Sequence, residues 1–269
     1  MVQWWQWLGG DRSTPTTQIW LAGLVSVAFA AFAIRASLTG RGASARIQKQ
    51  GSSFFLGHLP MEFGYWILGP IGKLAAALRL SPNLFSWSCL ILGAASGLAA
   101  ALGSIGLAGG LSILSALSDS LDGMVARTRG VASDAGEVFD AAVDRYTEFF
   151  LLAGLCVYYR FEPSAMALVL LALLGSFMVS YSQAKAEAMQ MEIPKGWMRR
   201  PERAAYLGGG AFLSPLLTNL IEKHHPIPMH YLLLFAVALV AVFANLTAIV
   251  RFVALYRALR RRDRTRPRS

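Results

Sequence analysis

Residues 119–144 read Asp119-Ser-Leu-Asp122-Gly123-Met-Val-Ala126-Arg127, then eight residues, then Gly136-Glu-Val-Phe-Asp140-Ala-Ala-Val-Asp144. Asp119 and Asp122 are three apart, and Asp140 and Asp144 are four apart. On helices, each pair shares one face. Two facing helices with such pairs gather four carboxylates around one point. Their mutual repulsion asks for a divalent cation, or two, and hard oxygen ligands favour Mg²⁺ or Mn²⁺. Seven of the 15 acidic residues lie between Asp119 and Glu148.

The background of this cluster is apolar. Of the 269 residues 55% are hydrophobic and 15% charged, and the mean hydropathy is +0.47. Soluble domains carry about 25% charged residues. The composition excludes a disordered chain, a nucleic-acid-binding tail protein and an ordinary cytosolic enzyme. It predicts an all-α polytopic membrane protein. Apolar helical segments are expected over 18–34, 84–107, 111–127, 136–159, 164–184, 204–220 and 231–256. The aromatic stretch 54–80 reads as a helix lying in the membrane interface, and Ser81-Pro82-Asn83 as the turn after it. Cys89 and Cys156 lie in apolar runs and read as packing residues.

The net charge is +10. With this layout 22 of the 25 basic residues fall on one side of the membrane. The positive-inside rule then puts the carboxylates and the C-terminus on the cytoplasmic side and the N-terminus outside. The expected organisation is an N-terminal extension with one span (1–52), a main domain (53–258) and a basic cytoplasmic tail (259–269). That tail reads as a topology anchor beside anionic lipid, and no nucleic-acid partner is expected. His224, His225 and His230 read as a solvated loop on the outer side.

Carboxylates at membrane depth mark function by default. A cation transporter using them as its transport site is one reading. The neighbours favour another. Gly123, Ala126 and Gly136 leave room for a bulky ligand near the backbone, and Arg127 is a planar cation suited to phosphate.

The run from Asp119 to Asp144 resembles the signature of the CDP-alcohol phosphotransferases, D-x2-D-G-x2-A-R-x8–9-G-x3-D-x3-D, at every fixed position. The resemblance implies a six-helix core, here preceded by the interfacial helix and one extra N-terminal span. It implies transfer of a substituted phosphate from a CDP-linked donor, CDP-diacylglycerol, to an alcohol with release of CMP. It further implies two divalent ions held by Asp119, Asp122, Asp140 and Asp144, with Asp144 also the general base. Asp122, Gly123, Ala126, Arg127 and Gly136 would border the CDP moiety. A homodimer in the cell membrane is likewise implied.

The later segments resemble the phosphatidylinositol-phosphate synthase branch. Its S-Y-x-K-A-R-A-E run corresponds to Ser180-Tyr181-Ser-Gln183-Ala-Lys185-Ala-Glu187, and its R-P-E-R to Arg200-Pro201-Glu202-Arg203. Arg251 stands inside the last apolar run. By this resemblance Lys185, Arg200, Arg203 and Arg251 would hold the phosphate of inositol 1-phosphate. Gln183 departs from the branch, which carries lysine there. Glycerol 3-phosphate is the next acceptor in order, and serine the third.

Overall fold

The computed structural model describes residues 19–20, 23, 27, 30–34, 59–131, 133–221 and 228–265. Seven long helices follow in chain order: α1 (Leu59–Ala77), α2 (Pro82–Ala101), α3 (Ile105–Thr128), α4 (Asp134–Tyr158), α5 (Pro163–Ala188), α6 (Arg200–Ile221) and α7 (Tyr231–Thr265). No strand occurs among the described residues. By length and composition α2, α5 and α7 are long and apolar enough to cross a membrane. The described residues of the expected first span are helical, and Phe32 packs 5.7 Å from the rings of Phe63 and Trp66 on α1. The rest of the 1–52 extension lies outside the described residues, as do His224 and His225.

The helices pack as two linked groups. α2 lies against α3 and α4, α7 lies against α5 and α6, and α3 contacts α6 across the middle. Lipid tails give helices no hydrophobic reason to associate, so close backbone approach carries the packing. Gly97 on α2 and Gly154 on α4 touch so closely that a Cβ on Gly154 would overlap the Gly97 carbonyl. Gly109 on α3 is pressed in the same way against the backbone of Phe212 on α6.

That use of Gly109 corrects one expected boundary. The break between the second and third segments falls at 102–104, not at 108–110. Gly103 takes φ 83° and ends α2, and Gly109 and Gly110 lie inside α3. The glycine pair is a packing surface rather than a turn. The basic tail differs too: α7 continues helical to Thr265, as arginine is a good helix former and favours a helix C-terminus. His230 is buried, with Nδ1 3.0 Å from Thr218 Oγ1, so it is not part of a solvated loop.

Candidate active site

α3 presents Asp119 and Asp122, and α4 presents Asp140 and Asp144. Ser133 starts α4 as its N-cap, its hydroxyl accepting from the Gly136 amide at 3.2 Å. Carboxylate oxygens of Asp119, Asp140 and Asp144 lie within 4.8 Å of one another. The Oδ1 atoms of Asp119 and Asp140 are buried without a hydrogen-bond partner. Buried polar atoms are rarely left so, and anionic ones least of all. Three converging carboxylates with unpartnered oxygens fit a hard divalent cation. Asp122 stands apart from this trio. It is buried, and its Oδ2 accepts from Ser86 Oγ of α2 at 2.8 Å.

Two cavities meet at the cluster. The larger, about 760 Å³, is lined by Asp122, Gly123, Ala126, Arg127, Gly136 and Asp140, together with Pro82, Asn83 and Ser86. All five residues expected to border a CDP moiety therefore lie on one wall. At Gly123 an added Cβ would sit 3.0 Å from Arg127 Nη1, so the glycine leaves the guanidinium its place.

The second cavity, about 310 Å³, is lined by Asp144, Glu148, Gln183 and Glu202 with Arg145, Arg199, Arg200, Arg203 and Arg251. Five arginines face three carboxylates there. They are held in different ways. Arg200 reaches Asp119 Oδ2 at 2.7 Å and Asp144 Oδ1 at 2.5 Å. Arg203 is buried and forks onto Glu148, with Nε to Oε1 at 2.6 Å and Nη2 to Oε2 at 3.0 Å. Arg199 Nε pairs with Glu202 at 3.3 Å.

Arg251 touches no carboxylate among the described residues. Its guanidinium donates to the carbonyls of Pro194 (3.1 Å), Val179 (3.3 Å) and Lys195. Nearby, Thr247 Oγ1 accepts from the amides of Trp197 and Met198 at 3.2 and 3.3 Å. Gly196 lies between these anchors at φ 74°, where a Cβ would also overlap Thr247. α7 thus clamps the segment that delivers Arg199 to Arg203. A structural ion pair, the alternative for a charge in an apolar run, is replaced here by a cage of carbonyls.

Three of the four residues expected to hold an acceptor phosphate line this cavity. Lys185 does not: it is exposed, and Gln183, two positions earlier and 200° around the helix, takes the wall. Arg145, Arg199 and Glu148 were not expected on it. Glu148 was legible as the third member of the 140/144/148 stripe. Arg145 and Arg199 carry no sequence signal that separates them from topology charges.

The profile of the CDP-alcohol phosphatidyltransferase family matches residues 79–259. The chain belongs to this family. It is an integral membrane protein, and membership sets aside the transporter reading. Among similar sequences, a phosphatidylinositol phosphate synthase of Mycobacteroides abscessus is 36% identical over 110 residues, 39% of this chain and 50% of that one. Its counterpart in Mycobacterium tuberculosis is 31% identical over 153 residues, 55% of this chain and 61% of that one. The matched regions thus span half to three-fifths of these synthases. An uncharacterized protein of Aquifex aeolicus is 32% identical over 156 residues, 57% of this chain and 80% of that one.

Solved structures agree. The M. tuberculosis phosphatidylinositol phosphate synthase crystallised with CDP-DAG has TM-score 0.59 and 25% identity, covering 70% of this chain and 92% of that one. The same synthase with manganese and citrate has TM-score 0.60 and 26% identity, covering 70% and 88%. A manganese-bearing relative and the Asp119/Asp140/Asp144 trio point to one conclusion about the cofactor, a divalent cation.

Proposed function

We propose that this protein transfers the phosphatidyl group of CDP-diacylglycerol to the hydroxyl of a phosphorylated alcohol, with inositol 1-phosphate the leading acceptor, and releases CMP. The observation that carries this reading is the charge of the smaller cavity. Its wall has two positive charges in excess, and it opens on Asp144. An acceptor bearing a phosphate neutralises that excess; serine and free inositol do not.

The donor reading rests on the larger cavity, where Arg127 and the small residues Gly123, Ala126 and Gly136 face Asp122 and Asp140. In the reaction the acceptor oxygen forms a bond to the phosphorus bearing the diacylglycerol. The bond from that phosphorus to the CMP oxygen breaks, and Asp144 takes the hydroxyl proton. Asp119, Asp140 and Asp144 would hold a divalent cation, with Asp122 the candidate ligand for a second. Such ions supply charge neutralisation of the diphosphate and a better leaving group. The protein's own part is positioning: Ser86 orients Asp122, and the α7 clamp places Arg200 against the trio. The reading includes a cytoplasmic active site in the cell membrane, an N-terminus outside, and the homodimer implied by the family.

Glycerol 3-phosphate is a second reading, favoured by neutral Gln183 on the acceptor wall. The purified protein should therefore be assayed for CMP release from CDP-diacylglycerol with Mg²⁺ or Mn²⁺. The acceptors are inositol 1-phosphate, glycerol 3-phosphate, serine and free inositol. Release with inositol 1-phosphate is expected. Release with glycerol 3-phosphate alone selects the second reading, and release only with serine or free inositol overturns the phosphorylated-acceptor reading.

Gly123→Ala tests the donor wall. Crowding the Arg127 guanidinium, which the new Cβ would meet at 3.0 Å, is expected to raise KM for CDP-diacylglycerol by up to about tenfold, with loss of one charge-assisted hydrogen bond as the upper limit, and to leave KM for the acceptor unchanged. Steady-state kinetics varying each substrate separately checks this.

A further inference from the structure

We propose that Arg200 competes with the divalent cation for the aspartate trio, and that an anion in the acceptor cavity relieves the competition by drawing the guanidinium away. Metal and acceptor anion would then bind cooperatively through one side chain. Only the identity of that anion, the phosphate of an alcohol, rests on the function proposed above.

The geometry sets up the conflict. Arg200 bridges Asp119 and Asp144, two of the three carboxylates that converge within 4.8 Å. A divalent cation seated among those oxygens would stand beside a guanidinium already spending its charge on them. Like charges this close repel strongly, the more so where little water screens them. Yet Arg200 is not built in as its neighbours are. Arg203 is forked onto Glu148, and Arg251 is caged by three carbonyls. Among the described residues, the hydrogen bonds and ion pairs of Arg200 go to the two aspartates alone.

It also has somewhere to go. Its side chain is 34% exposed and lines the 310 Å³ cavity. Rotation about its own side-chain bonds moves the guanidinium from the carboxylates into that cavity. An anion there offers it a second partner. Whatever favours the turned-out position then favours metal binding, and the effect is reciprocal.

The test uses Mn²⁺ and sulfate, a tetrahedral anion, with the full-length protein in detergent and no CDP-lipid. Free Mn²⁺ is read by electron paramagnetic resonance during titration. Arg200→Gln is expected to bind Mn²⁺ at least about tenfold more tightly than wild type. Sulfate is expected to tighten Mn²⁺ binding to wild type by about fivefold or more and to leave Arg200→Gln unmoved. Arg200→Lys keeps the charge and should stay near wild type, which separates charge competition from a disturbed fold. Unchanged or weaker Mn²⁺ binding in Arg200→Gln overturns the proposal and makes Arg200 a support for the ligands. Sulfate coupling that is absent from wild type, or that survives in Arg200→Gln, overturns it as well. No alcohol acceptor is present, so a failed acceptor assay leaves this result standing.

Discussion

Asp144→Asn is expected to lower CMP release by about 10²–10⁴-fold, the range that a positioned general base contributes. Among the described residues no other carboxylate combines the features of Asp144. It belongs to the trio, it lines the 310 Å³ cavity proposed for the acceptor, and it is paired with Arg200. Asp140 belongs to the trio but faces the donor cavity, and Glu148 faces the acceptor cavity but is occupied by Arg203. A base must reach the proton it removes, and in the proposed reaction the acceptor hydroxyl would arrive from the Asp144 side. Loss of metal affinity would also lower the rate, so the assay is run at rising Mn²⁺. A variant that has lost only a ligand recovers as the metal saturates; a variant that has lost its base does not. Asp140→Asn is the comparison, expected to recover in part. Recovery of Asp144→Asn to wild-type rates would remove it from the base role.

The reach of the sequence follows from how each signal arises. Four aspartates in apolar segments stand out because charge at membrane depth is costly, so a carboxylate cluster was legible from spacing, whereas the separation of Asp122 from the other three was not, and the CDP-bordering residues came from the family resemblance. The acceptor side was only partly legible. Arg203 and Glu148 are 55 positions apart, and nothing in either stretch names the other. Arg145 and Arg199 look like any basic residue near the end of a span. Lys185 lies off the wall of the smaller cavity. The residues of α5 that line the acceptor cavity are Val179, Ser180 and Gln183, one helical face, and Lys185 falls outside it. Helical period applied to that stretch would have picked Gln183. The boundary at 102–104 was hidden because membrane helices use glycine both to turn and to pack, and composition does not distinguish the two.

The two cavities and the trio between them account for the order of elements in the fold. α3 and α4 carry the aspartates and share the donor wall with the start of α2. α4 joins α5, α6 and α7 in the wall of the smaller cavity, and α7 holds the 191–199 segment so that α6 begins with its arginines against α4. The larger cavity thus draws on the α2–α4 region, while the smaller one is lined by α4 together with α5, α6 and α7.

Arg203→Met is expected to destabilise the protein by about 3–5 kcal/mol, the cost of leaving one partner of a buried ion pair uncompensated. Arg203 is 1% exposed, and both of its contacts with Glu148 are short and parallel. Glu148 would remain as a largely buried carboxylate that has lost its forked partner. Glu148→Gln removes the charge from the other side and should cost a similar amount. The double variant Arg203→Met, Glu148→Met is expected to recover much of the loss, because apolar side chains of similar size replace a desolvated pair at little net cost. Unfolding in detergent of the four proteins closes the cycle. This separates two roles for Arg203. A residue whose main work is to bind the acceptor phosphate would leave stability unchanged on removal and raise the acceptor KM instead. A residue that anchors α6 to α4 would lose stability first, and activity with it, because the same anchor holds Arg200 within reach of Asp144. The fork onto Glu148 engages the Nε/Nη2 edge of the guanidinium, and Nη1 is directed to the Met198 carbonyl at 3.3 Å. With those groups engaged the anchor is the expected result.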